Sequence, residues 1–176
     1  STNMSRKIVL DMETQKEFKE GGGKQNIAAL GISVVGVYDY ATDEYRGYEE
    51  HELEELATLL EEVDEIIGFN IQGFDMPVLK PHLNGTDTDR FKITDIMLKM
   101  QEMIGHRISL DKVAGATIGA KKSGHGMLAL EYFRNGEMDK LKKYCLDDVK
   151  VTKEVYDYGL AKESLKYQGF WGDYEV

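Results

Sequence analysis

The pattern of apolar and polar residues in the first quarter of the chain predicts three strands. Residues 8–10 form a short apolar run that ends in acidic residues before a polar, glycine-rich segment, residues 15–25. Residues 27–40 are rich in Val, Ile, Ala and Gly, and residues 44–48 follow the turn-forming residues 41–43. We therefore expect a meander of three strands at the start of the fold.

The next part of the chain mixes helical and strand patterns. In residues 51–63, leucines and valine recur at helical spacing among glutamates, which predicts an amphipathic helix. Residues 65–69 predict a buried strand, a short helix broken near Pro81 follows, and residues 91–94 predict a fifth strand.

From Asp95 onward the pattern is helical. A segment that carries Gly and Lys interrupts it at residues 115–126, and a long helix is predicted over about residues 137–160. Elements in this order predict an α/β fold in which a mixed five-stranded sheet is flanked by helices.

Composition narrows the class of protein. A chain of 176 residues with 41% hydrophobic content suits one compact domain. Cys145 is the single cysteine, no Cys/His cluster has zinc-site spacing, and neither a membrane-spanning stretch nor a signal core is present in the sequence. We therefore expect an intracellular, cytoplasmic protein without a membrane partner. We interpret residues 1–3, ahead of Met4, as a remnant of cloning and residues 4–176 as one domain.

The formal net charge of −10 argues against a polyanionic partner. Much of the acid falls in residues 51–65, however, on the predicted amphipathic helix, and a bound metal would change the local sign. Basic residues cluster elsewhere, at Lys121, Lys122, Lys140, Lys142, Lys143, Lys150 and Lys153. The pattern leaves open whether these lysines meet phosphates or form ordinary solvated helix faces.

Two acidic residues end the first predicted strand. Residues two apart on a strand point to the same face, so Asp11 and Glu13 should project together. Two neighbouring carboxylates repel each other, and a bound divalent cation would neutralise this repulsion. Ligand sets made only of oxygen atoms suit Mg²⁺ or Mn²⁺. A solvated turn is the alternative explanation for this short motif.

Further candidate residues lie later in the chain. Asp75 stands just ahead of Pro77, a position typical of a helix N-cap. Tyr144 and Asp148 are four apart in the long helix and share a face, where the phenol can reach a water or phosphate beside a metal bound by the carboxylate. An aromatic core anchor and a surface acid are the alternative for that pair.

The order of these motifs resembles the DEDD (DnaQ-like) superfamily of 3′→5′ exonucleases, in the DEDDy subclass whose third motif is Tyr-x-x-x-Asp. The matching segments are residues 8–14, 68–75 and 144–149, and the resemblance spans about residues 7–160. The other subclass would need a His five residues before Asp148, where this chain has Lys143. The resemblance implies a ribonuclease H-like fold.

The resemblance also implies a metal-dependent mechanism with two divalent cations, Mg²⁺ or Mn²⁺. Asp11 would bridge the cations, Glu13 and Asp148 would complete the first site, and Asp75 would hold the second through water. Tyr144 would orient the attacking water. The implied activity is hydrolysis of phosphodiester bonds of DNA or RNA from the 3′ end.

Substrate and partners follow from the same resemblance. Thr14, Asn70 and Phe74 would contact the terminal nucleotide, although Phe74 is equally well explained as a core residue. The expected substrate is a single-stranded nucleic acid with a free 3′ end. A polymerase, a helicase or another replication or repair protein is the expected type of protein partner.

We expect other polar residues to have structural roles or no role in the site. Asp147 points elsewhere on the helix, and Asp95 and Asp111 sit where helices begin and suit capping. The four histidines show no ligand spacing and receive no role; they are His51, His82, His106 and His125. The aromatic tail, residues 167–171, docks on its own domain or on a partner.

Two rival functions remain open. The first is an endonuclease of ribonuclease H-like fold that cuts internally, since fold alone does not determine the mode of attack. The second is a non-catalytic nucleic-acid-binding or scaffolding module of the same fold. The chain retains all five candidate catalytic residues, which argues against this function; they are Asp11, Glu13, Asp75, Tyr144 and Asp148. In a protein without catalysis, acidic residues that repel one another in the absence of metal could be replaced freely.

Overall fold

A mixed five-stranded sheet is the centre of the structure, a computed structural model that describes residues 5–17, 20, 24–121, 124, 126–169 and 172–176. Its strands are β1 (Lys7–Thr14), β2 (Ile32–Asp39), β3 (Glu44–Glu49), β4 (Glu65–Gly68) and β5 (Lys92–Asp95). They lie in the order β3-β2-β1-β4-β5. The pairs β1–β2 and β2–β3 are antiparallel, whereas β1–β4 and β4–β5 are parallel. The predicted meander and the mixed five-stranded sheet are confirmed.

Helices cover both faces of this sheet. They are α1 (Leu53–Leu60), α2 (Met76–Leu79), α3 (Ile96–Ile104), α4 (Leu110–Ile118), α5 (Gly126–Arg134) and α6 (Met138–Lys162). Alternate residues of β1 pack on opposite sides: Ile8 and Leu10 join the cluster with α1 and α2, and Val9 joins the cluster with α3, α4 and α6. By the same alternation, Asp11 and Glu13 lie on the α6 face. Within the described ranges, no helix is long and apolar enough to cross a bilayer.

The approach of α6 to the sheet depends on Gly36. This residue pairs with Asp11 across β1 and β2. A Cβ atom at Gly36 would lie 2.9 Å from both Cys145 Sγ and Val149 Cγ2, closer than such atoms normally approach. Helix α6 therefore crosses β2 at the point where that strand has no side chain, which brings its residues close to β1.

Element boundaries depart from expectation near the start of the chain. The strand expected over residues 27–40 begins only at Ile32, because residues Lys24–Leu30 form a 3₁₀ helix and Gly31 has a φ of 71° that breaks the extended backbone. The helix expected over residues 51–63 is a 3₁₀ turn, Glu50–Glu52, followed by α1. The predicted long C-terminal helix and the break near Pro81 are confirmed.

A C-terminal hairpin, β6 (Lys166–Gly169) and β7 (Gly172–Glu175), was not expected from the sequence. Thr117 Oγ1 of α4 donates to the Lys166 carbonyl at 2.9 Å and accepts from its N–H at 3.0 Å. Tyr167 packs among the residues of α3, α4 and α6, so this part of the aromatic tail docks on its own domain. Residues 170 and 171 lie outside the described residues.

Replacing Gly36 by alanine should destabilise the protein by about 1–3 kcal/mol, because the added methyl group forces α6 away from the sheet. Urea denaturation of the variant would measure the free energy of unfolding. Gly126→Ala is the matched control, since its Cβ would meet no atom within 4 Å. Equal stability of the two variants would contradict the packing argument.

Candidate metal centre

Three carboxylates from two elements meet on the α6 face of the sheet. Asp11 and Glu13 come from β1, and Asp148 comes from α6; one oxygen of each lies within 4.8 Å of the others. The expectation that Asp11 and Glu13 project together is therefore confirmed. Strand alternation supplies two of these groups and helix packing over Gly36 supplies the third.

The electrostatics of this cluster are unfavourable for the carboxylates alone. Loss of solvent raises the pKa of Asp11 well above its ordinary value, and the charge of Asp148 adds to this effect. Loss of solvent, followed by the charges of Asp11 and Asp148, raises the pKa of Glu13 to about 9. A divalent cation would reverse both effects, because positive charge stabilises the ionised forms.

Asp75 is the fourth acid of the site. It ends a π-helical turn, Ile71–Asp75, that follows β4 after Asn70, whose φ of 59° turns the chain. Asp75 is buried, and among the described residues its Oδ2 has no hydrogen-bond partner. Loss of solvent and then the charges of Asp11, Glu13 and Asp95 raise its pKa. The alternative explanation of Asp75 as a helix N-cap is wrong, since its backbone is helical and its side chain makes no cap hydrogen bond.

A buried carboxylate oxygen that has no hydrogen-bond partner among the described residues fits a metal ligand. Leaving a buried carboxylate oxygen unpaired is costly, and a divalent cation coordinated by that oxygen would remove the cost. The oxygen ligands of Asp75 and of the three-carboxylate cluster have the chemistry that Mg²⁺ and Mn²⁺ prefer. These residues therefore suit a divalent cation in two respects: their ligand atoms are oxygens, and they lie around one cavity or in one cluster.

Asp95 holds the turn that carries Asp75. Its carboxylate accepts backbone N–H groups of Met97 at 3.1 Å and Leu98 at 3.4 Å, which confirms the expected cap of α3. It also accepts the N–H groups of Asn70 at 2.8 Å and Gln72 at 3.0 Å. This second role was missed, because the donors lie more than twenty residues away and carry no side-chain signature.

Tyr144 lies one turn before Asp148 on α6 and is buried. It packs with Val34, Leu141 and Cys145, which agrees with the aromatic half of the alternative explanation, whereas Asp148 lies in the acid cluster and is not a surface acid. Loss of solvent raises the pKa of Tyr144, as do the charges of Glu13 and Asp148. Its phenol therefore stays protonated near the acids and retains an O–H donor.

A cavity of about 350 Å³ opens beside the acids. Asp11, Asp75 and Asp148 line it, together with Asn70 and Phe74. Thr14 is not among the lining residues; its hydroxyl donates to the Lys16 carbonyl at 2.9 Å. Residues 107–109 and Leu110, the first residue of α4, complete the wall, and sequence analysis gave them no role in the site.

A family model described as the RNase_H superfamily matches residues 8–159. The chain belongs to the RNase H superfamily. This result agrees with the sheet order and with the acids placed on β1 and α6. In sequence, the chain matches none of the curated proteins.

Solved structures share the fold of this RNase H superfamily member. The family B DNA polymerase from the hyperthermophilic archaeon Pyrobaculum calidifontis gives a TM-score of 0.66 at 18% identity, over 89% of this chain and 25% of the polymerase. Trypanosoma brucei RNase D gives 0.64 at 16% identity, over 88% of this chain and 57% of RNase D. Its complex with RNA U12 gives 0.63 at 16% identity, over 88% and 55%. This chain thus spans a quarter of the polymerase and little more than half of RNase D.

The lysines of α6 behave mainly as solvated helix faces in this superfamily member. Four of them pair with carboxylates at 2.7–3.0 Å: Lys140 with Glu137, Lys142 with Glu49, Lys143 with Asp147, and Lys153 with Asp157. The pair with Lys143 confirms that Asp147 points away from the acid cluster. Lys122 and His125 lie outside the described residues.

Two expectations about other residues are corrected. Ser109, not Asp111, caps α4, since its hydroxyl accepts from the N–H of Lys112. His51, expected to have no ligand spacing, lies with Glu49 and Glu52 in a group whose ligand atoms are within 4.8 Å. These carboxylates already pair with Lys142 and Arg46, so we assign this group no metal.

Without divalent cations, the protein should lose stability as the pH rises from about 5 to 9. The pKa of Glu13 is raised from 4.5 to about 9 in the folded protein, so the folded state retains a proton that the unfolded chain releases. The stabilisation is complete below the lower value and is lost as the pH rises through the upper one. Thermal unfolding in EDTA would measure this trend.

Mn²⁺ should reverse this loss of stability at high pH, because carboxylates coordinate the cation in their deprotonated form. The rise in Tm on adding Mn²⁺ should therefore grow with pH. Glu13→Gln is the control and should reduce the pH dependence in EDTA, while the raised pKa values of Asp11 and Asp75 retain part of it. A wild-type Tm that is constant over this pH range would contradict the assigned electrostatics.

Asp95→Asn should lower the free energy of unfolding by about 2–3 kcal/mol, because an amide cannot accept all of these backbone N–H groups as a carboxylate does. It should also weaken Mn²⁺ binding through the turn that carries Asp75. Urea denaturation and calorimetric titration would measure the two effects. Asp87→Asn is the matched control, since Asp87 caps an exposed turn through the N–H of Asp89. Equal losses in both variants would refute the positioning role of Asp95.

Proposed function

We propose that this chain is a metal-dependent 3′→5′ exonuclease of the DEDDy type that hydrolyses phosphodiester bonds of DNA or RNA. The observation that carries the proposal is the convergence of Asp11, Glu13 and Asp148. Asp75 lines the same cavity as Asp11 and Asp148, and its buried Oδ2 has no hydrogen-bond partner in the described part of the chain. Without a cation, burial and mutual repulsion of these carboxylates destabilise the folded protein. Membership of the RNase H superfamily supports nuclease chemistry in general.

The carboxylates supply the ligands in this proposal. Asp11, Glu13 and Asp148 would hold a first divalent cation, and Asp11 and Asp75 would contribute to a second, Asp75 through water. When bound, two Mg²⁺ or Mn²⁺ ions activate a water and stabilise charge on the leaving 3′ oxygen. The sheet and α6 hold the ligands in advance, so little reorganisation is needed on substrate binding.

Tyr144 positions the attacking water in this proposal. Its phenol remains protonated, so it donates a hydrogen bond at the pH of the reaction. Lys143 occupies the position where the other subclass has His, and it pairs with Asp147 on the exposed side of α6. This orientation supports the DEDDy assignment, because the tyrosine and not residue 143 faces the acids.

The size of the cavity favours attack at a strand end. A volume of about 350 Å³ is at the lower limit of small-ligand pockets, so it suits a single terminal nucleotide better than an internal stretch of duplex. Asn70 and Phe74 line it and are the proposed contacts to that nucleotide. Thr14 lies outside the cavity lining and is the weaker candidate.

We also propose a substrate, a cellular location and a type of partner for this chain. The substrate is a single-stranded nucleic acid with a free 3′ end, and the protein acts inside the cell. One structural neighbour is a DNA polymerase of which this chain spans 25%. A replication or repair assembly is therefore the proposed context, with a polymerase or helicase as partner.

The test is degradation of a 5′-labelled single-stranded DNA and a matched RNA with Mg²⁺, with Mn²⁺ and with EDTA. We expect a metal-dependent ladder that shortens from the 3′ end and shows which sugar is preferred. Asp11→Ala should reduce the rate by at least about 10³-fold while the protein stays folded, because several kcal/mol of transition-state stabilisation are lost.

Asp148→Ala and Asp147→Ala form a matched pair of controls. They remove adjacent acids from one helix, and only Asp148 lies in the cluster. The first should abolish hydrolysis and the second should leave it unchanged. Cleavage of a circular substrate would favour the endonuclease, and metal-independent binding without cleavage would favour the binding module.

A further inference from the structure

A second groove adjoins the candidate catalytic cavity. It has a volume of about 340 Å³ and lies between the start of α4 and the C-terminal hairpin. Its polar and aromatic lining comprises His106, Arg107, Lys112, Tyr167, Gln168 and Tyr174. Arg107 and Ile108 line both this groove and the candidate catalytic cavity, so the two spaces are neighbours that share these residues.

The groove is basic in a chain whose net charge is −10. Within the part of the chain that the structure describes, Arg107 and Lys112 form no ion pair and no carboxylate lines the groove. Asp173 and Glu175 alternate with Tyr174 along β7 and therefore face the other side of the hairpin. Lysines of α6, by contrast, are largely neutralised by neighbouring acids.

Two tyrosines of the C-terminal hairpin also line this groove. Tyr167 and Tyr174 stack with ring centroids 5.4 Å apart and an interplanar angle of 28°. Tyr174 remains 41% exposed. A Cβ at Gly169 would lie 2.3 Å from the Tyr174 ring, so the glycine makes room for this arrangement. A partly exposed tyrosine ring beside cations that form no ion pair within the described residues is a combination suited to the bases and phosphates of single strands.

The hairpin that carries these rings is fixed to the domain. Leu165 and Val176 exchange two backbone hydrogen bonds at 2.7 Å, and Thr117 ties Lys166 to α4. The groove is therefore preformed. A mobile tail would lose conformational entropy on binding, and this one has already been ordered by folding.

We infer that this groove holds the single-stranded nucleic acid upstream of its 3′ end, with Arg107 joining the groove to the cavity that receives the terminal nucleotide. The inference rests on the proposed exonuclease function for the direction of the strand. The cations contact phosphates, and the exposed face of Tyr174 stacks with a base. The groove supplies the affinity that an acidic domain otherwise lacks.

Fluorescence anisotropy of a labelled single-stranded 20-mer in EDTA tests binding apart from hydrolysis. Lys112→Glu should weaken binding by at least about fivefold and should reduce the slope of log K against log[salt] by about 0.7, the value for one lost phosphate contact on a single strand. Lys99→Glu makes the same charge change at another exposed lysine, on α3, and should leave the slope unchanged. Equal behaviour of the two variants would overturn the inference.

Tyr174→Leu tests the stacking contact. It keeps an apolar side chain on the hairpin but removes the ring face. Affinity for the 20-mer should fall by roughly fivefold or more, as expected for one lost base–aromatic stack. Affinity for an abasic 20-mer should be unchanged, whereas Lys112→Glu should weaken binding of both. Equal losses of both ligands in Tyr174→Leu would refute stacking.

Hydrolysis separates this inference from the proposed function. With Mn²⁺, Lys112→Glu should raise KM for the 20-mer while leaving turnover of a dinucleotide unchanged, because a dinucleotide does not extend into the groove. A wild-type protein that cleaves neither substrate but shows the Lys112-dependent salt slope would retain the groove and refute the exonuclease. Cleavage with no effect of Lys112→Glu on KM or binding would refute the groove alone.

Discussion

The close packing of α6 against β1 and β2 is the contact on which the candidate site depends. Gly36 leaves room for the fully buried Cys145 and Val149, and the Cys145 thiol lies 3.7 Å from the Asp11 carbonyl. Buried side chains of this size contribute about 1.5–3 kcal/mol each. Apolar packing thus sets the distance between Asp148 and the acids of β1 and opposes their repulsion.

The rest of the fold supports this arrangement from both sides of the sheet. Ile8, Val9 and Ile67 are completely buried, and the cores above and below the sheet share β1. A strand held in this way cannot shift its register to separate Asp11 from Glu13 without exposing apolar residues. The stability of the cores is therefore what allows an electrostatically unfavourable group to persist, as is common at functional sites.

Much of the architecture could be predicted from residue patterns. Strand alternation located Asp11 and Glu13, and helical spacing located Tyr144 and Asp148, because these signals are local. The conformation of Asp75 could not be predicted, since its π-helical turn is stabilised by Asp95 from another strand. The hairpin and the basic groove were missed for a related reason: Lys112 and Tyr174 are distant in sequence and become neighbours only through Thr117 and the end of α4.

The position of Asp95 has a consequence for how the site would fail. Asp95 ends β5, which is the edge strand and pairs only with β4. The Asn70 and Gln72 N–H groups are therefore anchored to one of the two edge strands of the sheet. Edge elements open at lower free energy than the core. Local fraying of β5 would release the turn and misplace Asp75 while the remaining sheet stayed intact. The geometry of the candidate site therefore depends on the stability of this edge strand more than on the global stability of the fold.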